Sequence, residues 1–446
     1  MSTAISKEKT LADFRPFRPW RYDTQKVKAD NVIAPPYDVI SPAEQEALYA
    51  KSPYNCIRLI LNKVDATDDE SNSRYTRARD FFAAWRKDGV LVQEEEPSFY
   101  LYQQNFRDPR DGKPRSRSAF LGAIHLEPFE KHIVIPHEKT LAKPRADRKK
   151  LLEATQTNFS PIFGLYEDTQ NQIVPLIKTL ESEPVLFSAV DKEGVEHTLR
   201  ALNGEEAVNL IRQNLAAERI YIADGHHRYT TALEYALEKK KDSSDQPSDF
   251  VYMAVVCFHD PGLVLFPTHR LIKNLASFEA EKVLSALETY FSVEKTAPEK
   301  IMPVMNANTS DLPWLGLVIK NDGYVLKLKD AATARAAMLP AKPDIWYSLD
   351  VNLFAHLILK SVFGLTEETW EAHLAFTHSD REALEEARSG KVQAAFMLKA
   401  PNVTVLREMG KVRELMPQKS TYFYPKLASG LLFFHHGEGS IGTGPT

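Results

Sequence analysis

Six consecutive residues, Asp224-Gly225-His226-His227-Arg228-Tyr229, gather a carboxylate, two imidazoles and a guanidinium around one glycine. Such a set handles anions and protons. The Arg228 fork suits phosphate oxygens, the histidines donate, accept or move a proton near neutral pH, and Gly225 lets a ligand approach the backbone closely. The bland alternative is a histidine-rich turn that only caps a helix. Four ionisable groups crowded onto one turn favour a site.

Three other runs carry chemistry-bearing residues. His137-Glu138-Lys139-Thr140 precedes Arg145, Asp147 and Arg148. No second histidine follows at the zinc-protease spacing, and Arg145 and Arg148, three apart on a helix predicted to start at Pro144, share one face. Lys419, Ser420, Thr421 and Lys426 fall within eight residues, in what reads as a loop with aromatic anchors. Asp38 follows Pro35-Pro36, where a turn-stabilising carboxylate is at least as good a reading as chemistry. Arg107, Arg110, Lys113, Arg115 and Arg117 read as the solvated loop of a long hairpin between strands at 98–102 and 119–124.

The elements that must position the first run are plain. Residues 220–223 are β-branched, aromatic or small and read as a short buried strand; from Tyr229, apolar residues recur at 232, 233, 236 and 237, the spacing of a helix with one buried face. The elbow between them leaves the first helical N–H groups without intrahelical partners and aims the positive helix end at its occupant, for which an anion is suited.

Around this core the spacing predicts a strand at 31–34 broken by the double proline, a helix capped by Ser41, a helix over 74–87, a hairpin turning near 191–194 and a helix over 205–215. The apolar run 250–258 is expected to be a central strand. Further on come a helix over 279–291, a hairpin turning at Asn321-Asp322-Gly323, a helix over 350–363 stopped by Gly364, and strands near 392–399 and 431–434. The expected class is mixed α/β, divided into an α/β region over 1–275 that holds the elbow and an α+β region over 276–446.

With 446 residues, 43% of them hydrophobic, the chain is long enough to bury a large core in two or three domains. Its net charge of −4 gives no global basic field, which argues against a nucleic-acid partner. Two distant cysteines exclude a disulfide framework and a cysteine-based zinc site. No stretch is apolar enough to serve as a signal peptide or to span a membrane, so the expected location is the cytoplasm.

Taken together, Pro-Pro-Tyr-Asp-Val around Asp38, His137-Glu138-Lys139-Thr140 with Asp147-Arg148, the 224–229 elbow and Lys419-Ser420-Thr421 through Lys426 resemble the bacterial family catalogued as domain of unknown function 1015, over almost the whole chain. The elbow also resembles the phosphate-binding motif of the ParB/sulfiredoxin superfamily, which includes nucleotide-hydrolysing partition proteins, sulfiredoxin and kinases acting on free serine. Sulfiredoxin has a reactive cysteine where this chain has His226, so its thiol chemistry does not carry over. The resemblance implies a ParB/sulfiredoxin-like nucleotide-binding core with a mixed sheet.

The function expected from these readings is phosphoryl transfer from ATP or ADP, with Mg²⁺, to a hydroxyl of a small metabolite such as free serine. Gly225, His226, His227 and Arg228 would cradle phosphates. Asp224 or Glu138 would take the hydroxyl proton or hold the metal, with Asp38 a weaker candidate. One helix end plus Arg228 supplies only ~4 kcal/mol, a millimolar complex. Further cations must therefore converge, and Lys139, Arg145, Arg148 and Lys426 are the candidates, with His137, Lys419 and Ser420 as further nucleotide contacts. Two alternatives stand beside this: a nucleotide-gated switch like the partition proteins, and a metal-dependent hydrolase using His137, Glu138, His226 and His227. Nothing in the residue pattern sets an oligomeric state.

Overall fold

A computed structural model describes residues 12–140, 142–169, 171–240, 245–310, 312–339, 341–437 and 439–442. The chain is mixed α/β and forms two compact units. The first takes the described residues up to 136, 140–264 and those from 425 onward; the second takes 137–139 and 265–424.

The first unit is built on a nine-stranded mixed sheet. Its strands are β1 (Phe14–Arg15), β2 (Phe99–Arg107), β3 (Pro114–His125), β4 (Val134–Ile135), β5 (Ile162–Tyr166), β6 (Phe187–Val190), β7 (Glu196–Leu202), β8 (Ile220–Asp224) and β9 (Phe250–Cys257). Their order is β4-β8-β5-β9-β3-β2-β7-β6, with β1 paired to β3. All eight residues of β9 are buried, as the unbroken apolar run requires of a strand covered on both faces. It lies parallel to β5 and antiparallel to β3.

Two helices matter for the site: α1 (Ala142–Thr155) and α2 (His226–Lys239). The buried face of α2 is Tyr229, Ala232, Tyr235 and Ala236, with Leu233 partly buried against it; Leu237, expected on that face, is 61% exposed and Tyr235 takes its place in the core shared with β8 and β9. The second unit carries its own apolar core and an antiparallel six-stranded sheet of β10 (His269–Ile272), β11 (Phe291–Thr296), β12 (Trp314–Ile319), β13 (Asp322–Leu328), β14 (Leu374–Thr377) and β15 (Ala394–Met397), ordered β11-β13-β12-β15-β10-β14.

Several local expectations meet a different outcome. The stretch 31–34 is no strand: Ala29–Asn31 is a 3-10 turn and Ala34 makes a single bridge to Ser429, because Pro35 and Pro36 leave too few N–H groups for a ladder. The hairpin strands run further than predicted, so Arg107, Arg115 and Arg117 lie in strands rather than in a solvated loop. The helix after Asp350 continues as π-helical turns over Phe354–Val362 before Gly364. Among the described residues, no helix is long and apolar enough to cross a membrane.

Candidate functional site

Strand β8 stops and α2 starts at Gly225, whose φ of 94° lies in the left-handed region. An L-residue there costs about 1–2 kcal/mol, which is why the corner takes glycine. Having no side chain, Gly225 caps nothing, and the first turn of α2 contains no acidic residue. Tyr229 pins the helix start: its hydroxyl donates to the Glu127 carbonyl and accepts from the Glu127 N–H, both at 2.9 Å, while its ring stacks on Phe129.

At the end of β8 the Asp224 carboxylate faces two cations. Its Oδ1 accepts from Lys426 Nζ at 2.6 Å and its Oδ2 from Arg228 Nη2 at 2.8 Å. Arg228 also donates through Nη1 to the Pro161 carbonyl. These side chains are only 14–19% exposed, so their charges interact more strongly than a surface pair would. His226 is buried and His227 half-buried in the first turn.

Arg228 reaches past the corner into a cavity of about 60 Å³, room for a few waters or one small anion. Tyr37, Arg148, Asn158, Ser160 and Thr231 line it with Arg228. The Arg148 guanidinium lies 3.9 Å from the Tyr37 ring centroid, donates to the Ile60 carbonyl at 2.7 Å and pairs with Asp147, which also receives Arg74 and the Tyr75 hydroxyl. Burial pushes the Tyr37 hydroxyl up to about 12, with Arg148 opposing the shift, so it stays a neutral donor at ordinary pH.

Arg145 and Arg148 do not act on one face, as their spacing had suggested. Arg145 pairs with Glu234 of α2 at 2.7 Å, whereas Arg148 turns to the cavity. Three residues apart is only about 60° around the helix, so the two do leave from neighbouring positions, and it is their long side chains that diverge to different partners. Asp38 is exposed in the turn Tyr37–Val39, and its carboxylate hydrogen-bonds no other described residue.

The remaining candidates form a cluster inside the second unit. Glu138 Oε1 accepts from the backbone N–H groups of Ser420 and Thr421 at 3.0 and 3.1 Å, and Oε2 from that of Lys419 at 3.2 Å. Lys419 has a φ of 59°, and the three successive N–H groups make an anion-binding nest whose occupant is this carboxylate. His137 Nε2 lies 2.9 Å from Thr421 Oγ1, and the Ser420 hydroxyl donates to the Pro417 carbonyl. Lys139 pairs with Glu367 where both are exposed. Arg270, which the sequence did not single out, is buried here, donates to the Lys419 carbonyl at 3.0 Å and is pushed down to about 10 by burial.

Among the described residues no group of three or more His, Cys, Asp or Glu side chains converges as a metal site, and the four-ligand hydrolase alternative finds no such cluster. Each Asp224 oxygen faces a cation, so Mg²⁺ does not fit that carboxylate as it is arranged.

Solved structures with a measurable likeness include a conserved hypothetical protein from Pyrococcus furiosus, 14% identical, with a TM-score of 0.35 over 68% of this chain and 91% of that one. A free serine kinase in complex with AMP is 15% identical, with a TM-score of 0.35 over 68% and 86%. SbnI with C-terminal truncation from Staphylococcus aureus is 10% identical, with a TM-score of 0.33 over 70% and 86%. Likenesses this weak carry no functional inference. No curated protein matches the chain. The family model described as protein of unknown function (DUF1015) matches residues 14–352, a span that takes in the elbow, the 137–140 run and most of both sheets, and the chain belongs to that family.

Proposed function

We propose that the elbow binds the phosphates of a nucleotide and that the protein is a kinase acting on a hydroxyl of a small metabolite, free serine among the acceptors to test. The observation that carries this reading is the convergence of Arg228 and Lys426 on Asp224 at a glycine corner opening a helix. It agrees with the resemblance of residues 224–229 to the ParB/sulfiredoxin phosphate motif. Lys426 adds a second cation to the helix end and Arg228, which by themselves reach only a millimolar complex.

In this reading the incoming phosphates take over Arg228 and Lys426, and Asp224 is released from both. Its carboxylate then accepts the proton of the acceptor hydroxyl as that oxygen forms its bond to phosphorus and the bond to the nucleotide's leaving oxygen breaks. The two cations neutralise charge on the phosphate oxygens throughout.

The test is a thermal-shift series with ATP, ADP and AMP, with and without Mg²⁺. A ligand at about a hundred times its dissociation constant stabilises by about 2.7 kcal/mol. Arg228→Ala is expected to erase the shift while leaving the ligand-free protein folded. Full affinity retained in that variant excludes the elbow as the phosphate site. A nucleotide that binds is then assayed for turnover with free serine and related hydroxyl compounds.

A further inference from the structure

Lys426 reaches Asp224 from residues 425–428, which belong to neither helix nor strand. No regular element aims its side chain, so whatever grips this segment's backbone sets where Nζ points. Three buried side chains of the central sheet supply the grip: the Tyr102 hydroxyl accepts from the Ala428 N–H at 3.4 Å, and two others hold the carbonyls of Pro425 and Lys426. Arg117 Nη2 donates to the Pro425 carbonyl at 2.5 Å, and Gln104 Nε2 donates to the Lys426 carbonyl at 3.0 Å.

Gln104 of β2 and Arg117 of β3 face each other in register, each about 1% exposed. Arg117 donates to Gln104 Oε1 through Nε at 3.1 Å and through Nη2 at 2.5 Å. A guanidinium has donors only, so it fixes which way the amide faces: with Oε1 toward Arg117, Nε2 must point at Lys426. The guanidinium also lies 4.9 Å from the ring centroid of Phe163, the residue of β5 that pairs with Asp224. Both ends of the Lys426–Asp224 pair are thus referenced to one buried cation.

We propose that Gln104 and Arg117 are positioning residues that hold Lys426 against Asp224. The proposal deepens the phosphate-site reading and rests on it for the binding consequence only. Gln104→Glu keeps the acceptor for Arg117 and removes the N–H that reaches Lys426; Gln104→Met keeps the length without the amide, and Arg117→Lys shortens the other arm. Two quantities are read in each variant with a native melting transition: the rate at which Lys426 is modified by trinitrobenzenesulfonate, followed by mass spectrometry, and the Kd for ADP.

The expected result is modification at least about three-fold faster and a Kd raised about ten-fold, with no further loss of affinity when Gln104→Glu is combined with Lys426→Ala. That non-additivity is what acting through Lys426 means, and a residue that merely supports the fold would give additive losses. Unchanged Lys426 modification, or additive losses, overturns the proposal. Faster modification in a protein whose wild type binds no nucleotide leaves the positioning role standing and removes the phosphate-site reading instead.

Discussion

Asp224 serves two cations at once, and that sharing decides what each change at the corner does. Asp224→Asn keeps the shape and removes the charge, leaving Arg228 and Lys426 without their shared anion. If Asp224 takes the acceptor's proton, this variant binds ADP as tightly as the wild type or more so, and turnover falls by about 10²–10⁴, the range of a lost general base. Calorimetric affinity measured beside a phosphoryl-transfer assay separates the two, and parallel loss of both would assign Asp224 to binding. Gly225→Ala meets two costs. The left-handed φ is worth about 1–2 kcal/mol, and the new Cβ would lie 2.9 Å from Arg228 Nη2, so the guanidinium must move. A lowered urea midpoint together with weaker ADP binding is expected; a variant as stable as the wild type would contradict the corner's geometry.

At the scale of elements, a short antiparallel pair within the first unit joins Phe434–His435 to Thr157–Asn158. His435 Nδ1 lies 3.0 Å from Thr157 Oγ1, and His436 packs between the Tyr235 and Phe434 rings. Among the described residues His436 Nδ1 is buried without a hydrogen-bond partner, so a proton there would be an unpaired buried donor. Burial accordingly lowers the His435 imidazole and pushes that of His436 down to about 3. Both groups bind protons more readily when unfolded. The stability they permit is therefore complete above about pH 6.5 and is lost as pH falls toward the folded values, at up to about 1.4 kcal/mol per unit for each group. Protection against hydrogen exchange, taken relative to the intrinsic rate at each pH, is expected to fall at residues 434–436 between pH 7.5 and 5 more than in β9, and His436→Phe should blunt the effect. Equal protection at both pH values would show that the pair does not sense acid.

Over the whole molecule, each unit has its own apolar core, and all side chains at the elbow come from the first. Saturating nucleotide is therefore expected to slow hydrogen exchange in 220–232 and 425–428, with no protection in the β12–β13 hairpin of the second unit; protection confined to that hairpin would place the ligand elsewhere.

The parts legible from sequence are those set by near neighbours. The strand, the glycine corner and the helix all lie within twenty residues, where periodicity and turn chemistry act directly. Lys426 stands 202 residues from Asp224, and Arg117 stands 308 from the carbonyl it grips, separations over which local patterning carries no information. Arg117 read as one charge among five in a loop, yet the strand register turns it inward. Glu138 read as a base or metal ligand, and the chain's return at 419–421 surrounds it with three backbone donors. The sequence by itself determined the corner and the chemistry available there, because φ preference and apolar spacing are properties of neighbouring residues. Which distant cations meet that corner was decided only by tertiary structure, because strand order and register, not spacing along the chain, choose the side chains that share a buried volume.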